Sequence, residues 1–185
     1  NDTYYVTSAT DSVTEAEEGG TDTVRTTLTN IILVDNVENL VLTSTLASLA
    51  TGNALGNAIT GGNGSDTLFG MDGFDFLYGG AGNDSNGNDT GLGGEGADSL
   101  FGSLGNDNLS GGSEADRLLG EDGNDWLSGD DGSDTIYGGN GNDTQFGGEG
   151  SDTLDGGAGD VRLDGGASDG TCVGGGSADR VVEGV

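Results

Sequence analysis

GGEGADSLF (residues 93–101), GEDGNDWLS (120–128) and GGEGSDTLD (147–155) are frames of one nonapeptide, and their period decides the fold. Aspartate falls at every ninth residue: Asp89, Asp98, Asp107, Asp116, Asp125, Asp134, Asp143 and Asp152. A glycine stands two places before nearly all of them, and a leucine or isoleucine two places after most. A fixed period of this kind marks near-identical stacked units. The last three residues of a frame, such as Thr135-Ile136-Tyr137, alternate in side-chain direction as in a strand. The first six read as a turn, where positive φ and close backbone approach favour glycine. Strand plus turn reverses the chain once per repeat, so two repeats make a coil of 18 residues. Stacked coils give two parallel sheets, with Leu68, Leu77, Leu100, Leu109, Leu118, Leu127, Ile136 and Leu154 facing inward between them.

The rest of the composition narrows the chemistry. The 185 residues carry a formal charge of -29, with 33 acidic residues against four arginines and no lysine, histidine or proline. No basic patch exists to displace counterions, which excludes nucleic acid and anionic membrane surfaces as partners. No apolar run approaches the roughly 18 residues of a membrane span. Serine and threonine are plentiful, but no histidine is there to activate them. A glycosidase pair of carboxylates is set aside because every acid in the array has a periodic role, so the chain is read as not an enzyme. The single cysteine, Cys172, forms no intrachain disulfide and falls at an inward apolar slot. One large apolar side chain per nine residues is a thin core for so much ordered backbone, and the stacked aspartates repel one another. A small-core fold without disulfides takes a metal as its staple. Oxygen-only ligands select a hard cation, and an all-protein turn cage favours calcium over magnesium.

Three zones follow one another. Residues 1–51 hold β-branched runs, TDTVRTTLTNIILV and NVENLVLTSTL, with turns at Glu18-Gly19-Gly20 and Asp35-Asn36, and are expected to form a strand-rich leader that continues the roll or a β-helix. The first residues, NDTYYV, resemble the second half of a repeat, as if the chain continued a longer precursor. GNALGNAIT (52–60) is a degenerate repeat with Asn57 in the aspartate slot, and residues 61–182 are the array proper, the two together making a roll over 52–182. Its frames begin at Gly61, Gly70 and Gly79, then again from Gly93. The step from Gly79 to Gly93 is 14, so an insertion lies near residues 79–92, where Asn86 and Gly91 occupy leucine slots. Repeats 156–173 are degenerate. Asp160 and Asp169 sit one place early, Val161 and Gly170 take the aspartate slots, and Leu163 and Cys172 keep the apolar register.

GGNGSDTLF (61–69), GMDGFDFLY (70–78), GSLGNDNLS (102–110), GDDGSDTIY (129–137) and GGNGNDTQF (138–146) match GGxGxDxUx, with U a large apolar residue. In this the chain resembles the repeats-in-toxin (RTX, hemolysin-type) calcium-binding family of secreted bacterial proteins. The resemblance implies a right-handed parallel β-roll with calcium ions in two rows, each between the turns of repeats n and n+2. It implies turn carbonyls as ligands together with Asp66, Asp75, Asp84, Asp89, Asp98, Asp107, Asp116, Asp125, Asp134, Asp143, Asp152 and Asp179, with one of Asp84 and Asp89 in true register. The strongest sites are expected between Gly93 and Asp152; Glu114 and Ser168, in glycine slots, weaken those around them. Type I secretion and folding outside the cell are also implied. The chain is read as a calcium-folded unit of an extracellular filament, adhesin or surface layer, with the calcium-dependent folding module of a larger toxin, protease, lipase or epimerase as the alternative. Phe101, Leu119 and Tyr137, 18 residues apart, are expected in one outward row, a possible contact for another copy or for carbohydrate, with Trp126 and Phe146 on the other sheet.

Overall fold

The structure is a computed structural model describing residues 1–16, 19–80, 88–166, 170–174 and 180–182. Among the described residues there are 19 strands and no helix, and therefore no helix long and apolar enough to cross a membrane. From β2 (Thr23–Thr26) onward the chain alternates between two sheets, and every strand pairs in parallel with the strand two places away. One sheet has ten strands and the other nine. The result is a two-sheet β-solenoid of the expected class, about nine turns long.

Within the array the coil length is fixed. Ser99 pairs with Arg117, Arg117 with Thr135 and Thr135 with Thr153. The insertion is absorbed in one coil: Thr67 pairs with Thr90 and Phe76 with Ser99. Register therefore resumes on both sheets immediately after the extra residues. The leader strands β1 (Thr3–Val6), β2, β3 (Asn30–Ile32), β4 (Asn39–Leu42) and β5 (Leu49–Thr51) join the same two sheets, with less regular steps such as Thr23↔Asn39 and Asn39↔Ala58.

Strands β10 (Ser99–Leu104), β12 (Arg117–Asp122), β14 (Thr135–Asn140) and β16 (Thr153–Ala158) are six residues long, twice the expected three. Pairing runs from Ser99↔Arg117 to Phe101↔Leu119, skips the first glycine of the turn, and resumes at Ser103↔Glu121 and Leu104↔Asp122. Identical coils in register let the turn backbone pair as well as the strand. Gly105 N–H accordingly donates to the Asp122 carbonyl and Gly123 N–H to the Asn140 carbonyl, each at 2.9 Å.

The predicted inward residues Leu68, Leu77, Leu100, Leu109, Leu118, Leu127, Ile136 and Leu154 are all buried. Gly91 leaves a leucine slot without a side chain, but a methyl group there would stand only 3.1 Å from Leu109 Cδ2, so neighbouring leucines close the gap. Gln145 was not anticipated in the core. It stacks between Leu127 and Leu163 at 0% exposure. Its Nε2 donates to the Asp155 carbonyl at 2.9 Å, while Oε1 has no hydrogen-bond partner. A buried amide oxygen without a donor costs about 1–3 kcal/mol. Gln145→Leu is expected to stabilise the folded protein by about 1 kcal/mol, read as a higher urea midpoint in saturating calcium; an unchanged or lower midpoint contradicts this account.

Candidate metal centre

Each aspartate of the period stands immediately before a strand, at the inside of a corner, so the same atoms recur along the stack. In one corner Asp66 N–H donates to Asp89 Oδ1 at 2.7 Å, Asp89 to Asp107 at 2.7 Å, Asp107 to Asp125 at 2.9 Å and Asp125 to Asp143 at 2.9 Å. In the other, Asp75 donates to Asp98 at 2.7 Å, Asp98 to Asp116 at 2.7 Å, Asp116 to Asp134 at 2.8 Å and Asp134 to Asp152 at 3.0 Å. The aspartates thus stack in two rows, one along each corner of the roll. Asp89, stacked between Asp66 and Asp107, holds the register position. Asp84 and Asp179 lie outside the described residues.

These hydrogen bonds satisfy one carboxylate oxygen of each pair. The second oxygen, Oδ2, is buried and lacks a hydrogen-bond partner in Asp75, Asp98, Asp107, Asp116, Asp125, Asp134, Asp143 and Asp152. It faces the backbone of the first glycine of its own repeat and the carbonyl of the first glycine one coil on. A methyl group on Gly93 would stand 2.2 Å from Asp98 Oδ2 and 2.4 Å from the Gly111 carbonyl oxygen. On Gly129 it would stand 2.2 Å from Asp134 Oδ2 and 2.6 Å from the Gly147 carbonyl. The corner is therefore lined with oxygen and too close for a side chain. Burying a carboxylate oxygen unpaired is costly unless a cation compensates it. The donor set of carboxylate and carbonyl oxygens is the one that hard divalent cations, and calcium in particular, take. When bound, calcium would supply the positive charge that the row lacks.

Turn conformation is held even where glycine is missing. Met71, Ser103, Glu121 and Asp130 replace the second glycine and Glu114 the fourth-position glycine, yet all five keep φ between 72° and 89°. For residues other than glycine this region costs about 1–2 kcal/mol each, so the stack imposes the turn on them. Glu114 also reaches back, its Oε2 accepting the Gly96 N–H at 2.8 Å.

Electrostatics expresses the same deficit. Burial pushes Asp75, Asp116 and Asp125 up to about 7, and Asp89, Asp98, Asp107 and Asp134 up to about 6, from an ordinary 3.8. The donated backbone N–H pulls the other way, and for most of these groups a neighbouring carboxylate of the same row adds to the rise. Asp66 and Asp143 are raised for the same first cause.

The edges of the rows are equally defined. Asp66 Oδ2 differs from the others in accepting the Gly62 N–H at 2.7 Å. Past Asp143 the slot is filled by buried Val161, whose Cγ2 lies where the other corners present Oδ2, 2.5 Å from a methyl group placed on Gly156. Asp160, one place early, is exposed, and its backbone N–H donates to Asn142 Oδ1 at 2.9 Å. Toward the leader one row continues unannounced: Asp2 N–H donates to Asp22, Asp22 N–H to Glu38 Oε2 at 2.8 Å, and Asn57 N–H to Asp75 at 2.7 Å. Asp22 is fully buried with Oδ2 unpartnered, like the array aspartates. Sequence reading missed it because it sits before a strand pair stepped by Thr3↔Thr23 and Thr23↔Asn39, outside the nine-residue period.

The RTX calcium-binding nonapeptide repeat matches in four copies, over residues 60–85, 85–118, 110–145 and 146–181. No curated protein and no solved structure matches the chain. The chain belongs to the RTX calcium-binding nonapeptide repeat family and is a calcium-binding repeat protein built as a β-roll with rows of buried aspartates.

The raised carboxylates fix the sign of a pH effect. Between 3.8 and about 6–7 the folded chain holds protons that the unfolded chain has released. Metal-free folding is therefore favoured at low pH and loses that contribution as pH rises through 6–7. In chelator, circular dichroism is expected to show more β-structure near pH ~5 than near pH ~8; the reverse order contradicts the assignment of these shifts to burial.

Proposed function

We propose that the two rows hold calcium at Asp66, Asp75, Asp89, Asp98, Asp107, Asp116, Asp125, Asp134, Asp143 and Asp152, with Asp84 and Asp179 as further ligands, and that calcium binding and folding are one event. The observation that carries this is the repeated, buried, unpartnered Oδ2 beside a glycine carbonyl. A ligand that binds only the folded chain stabilises it by mass action, and coupling between neighbouring coils makes the transition cooperative. Extracellular calcium modules bind at roughly 10⁻⁴–10⁻³ M. That range keeps such a chain unfolded at low cytosolic calcium and folds it outside, so the protein acts as a secreted bacterial structural unit of a filament, adhesin or surface layer. Its work is structural rather than catalytic.

A second reading, the folding module of a larger exoprotein, is favoured by one observation. The carboxylate row gives way to Val161 while the apolar register persists through Leu163, as in a stack that tapers toward other sequence.

Far-UV circular dichroism is expected to show coil in chelator and β-structure at millimolar calcium. Asp116→Asn and Asp134→Asn should each move the midpoint to higher calcium, several-fold. Full β-structure in chelator at neutral pH would sink the coupling. Sedimentation in calcium then separates the two roles: chelator-reversible polymers mark the structural unit, and a strict monomer at high concentration marks the module.

A further inference from the structure

The coil just ahead of the array is built like one of its metal corners but is filled differently. A methyl group on Gly52 would stand 2.3 Å from Asn57 Oδ1 and 2.5 Å from the Gly70 carbonyl oxygen. On Gly93 the same methyl group would meet Asp98 Oδ2 at 2.2 Å and the Gly111 carbonyl oxygen at 2.4 Å. Asn57 Oδ1 therefore occupies the place of an array Oδ2, beside the glycine carbonyl one coil on. Asn57 is 1% exposed and stands immediately before β6 (Ala58–Thr60), as each array aspartate stands before its own strand.

The hydrogen bonds at this corner differ from those of the array. Oδ2 of Asp75 and of Asp98, the next two members of the row, has no hydrogen-bond partner, whereas Asn57 Oδ1 accepts the Asn53 N–H at 2.7 Å. Backbone conformation accounts for this. Met71, Gly94, Ser103 and Gly112, at the second position of their repeats, have φ of 89°, 120°, 84° and 118°, while Asn53 at that position stays out of the left-handed region. Its N–H turns in to the corner. Where an array aspartate presents Oδ1 to the N–H of the preceding coil, Asn57 presents Nδ2. That nitrogen donates to the Val37 carbonyl at 3.3 Å, the Glu38 carbonyl at 3.4 Å and Asn53 Oδ1 at 3.2 Å. Asn53 Nδ2 adds bonds to the Val34 and Val37 carbonyls at 2.8 Å each. Two neutral amides thus hold three carbonyls of the preceding coil, and no buried atom of Asn57 is left unpartnered.

We propose that Asn53 and Asn57 form a metal-free corner, in which amide hydrogens take the place of an ion, and that this pair sets where the calcium row along its edge begins. The inference rests on the reading that the array corners hold calcium, and adds the residues that decide which corners do not. A carboxylate at position 57 has no hydrogen to offer the Val37 and Glu38 carbonyls, and it brings a charge into a buried corner. Asparagine supplies the hydrogens and no charge. The row therefore takes up calcium from Asp75 onward, and the bonds between the coils of Glu38 and Asn57 involve no ion.

The test counts calcium bound to the full chain at saturating concentration by native mass spectrometry and follows the urea midpoint over a calcium titration. Asn57→Ala is expected to keep the ion count of the parent and to lower the midpoint even in saturating calcium. Asp98→Asn, in the same row, is expected to lose an ion. Asn57→Asp puts the array's own residue in this slot; its midpoint is expected to fall most at low calcium and to recover toward that of the parent as calcium rises. Fewer ions on Asn57→Ala, or an Asn57→Asp midpoint equal to the parent's throughout, overturns the proposal. Should Asn57→Ala lose the leader strands, Asn53→Ala, on a half-buried side chain, carries the same two readings. If the parent binds no calcium, the array reading falls and this one with it; if the parent binds calcium and either overturning result appears, this one falls alone.

Discussion

A carboxylate buried beside its own kind is the constraint on which this structure turns. The same side chain serves two opposed purposes. Its Oδ1 receives a backbone N–H from the preceding coil, which fixes coil to coil, while its Oδ2 is left in a dry corner of oxygens. The first half is favourable by itself, since charge-assisted hydrogen bonds are about twice as strong as neutral ones. The second half is not, as the upward displacement of the row's carboxylates records. Geometry that is excellent for stacking is thus poor for isolated charge, and a shared cation reconciles the two. Turn glycines follow from the same constraint, because the corner that brings Oδ2 to a carbonyl leaves no volume for a β-carbon.

Much of this was legible in the sequence because period and geometry are locked together. A spacing of nine predicts alternate sheets, and a spacing of 18 predicts which residues stack, so the Asp89–Asp107–Asp125–Asp143 and Asp98–Asp116–Asp134–Asp152 rows could be drawn before any coordinates. The inward leucines followed from the same arithmetic. Legibility failed where the period did. Whether Asp84 or Asp89 held register depended on how a five-residue excess was absorbed, which only pairing across the insertion, Thr67↔Thr90, decides. The six-residue strands were hidden because glycine-rich sequence reads as turn, whereas in-register neighbours allow it to pair.

Other features were invisible for a different reason. Gln145 occupies a leucine slot, and pattern alone does not reveal that a polar side chain there still goes inside, with one amide end bonded and the other not. The continuation of a row through Asp22 and Glu38 needs steps between coils that differ from one another, so no fixed window finds it. The meeting of the Asp2, Glu15 and Asp22 carboxylates, one oxygen of each within 4.8 Å of the others, is tertiary altogether: it exists only once the β1–β2 connection has folded back. The outward aromatic row, by contrast, is simple register. Phe101, Leu119 and Tyr137 align as expected, and Tyr78 joins them, stacked on Phe101 with ring centroids 4.6 Å apart.

The GND corners contain a second ladder that runs against the first. Asn106 N–H donates to Asn88 Oδ1, Asn124 to Asn106 and Asn142 to Asn124, toward the preceding coil, while the adjoining aspartate N–H groups donate toward the following one. Along this edge each coil is fastened in both directions by consecutive residues. The opposite edge carries Ala97 and Ala115 at the equivalent place; there Glu114 Oε2 accepts the Gly96 N–H, and further along Ser133 Oγ accepts the Ser151 N–H. The two long edges of the roll are therefore fastened unequally: one carries an uninterrupted asparagine ladder from Asn88 to Asn142, the other a mixed set of links through Glu114 and Ser133.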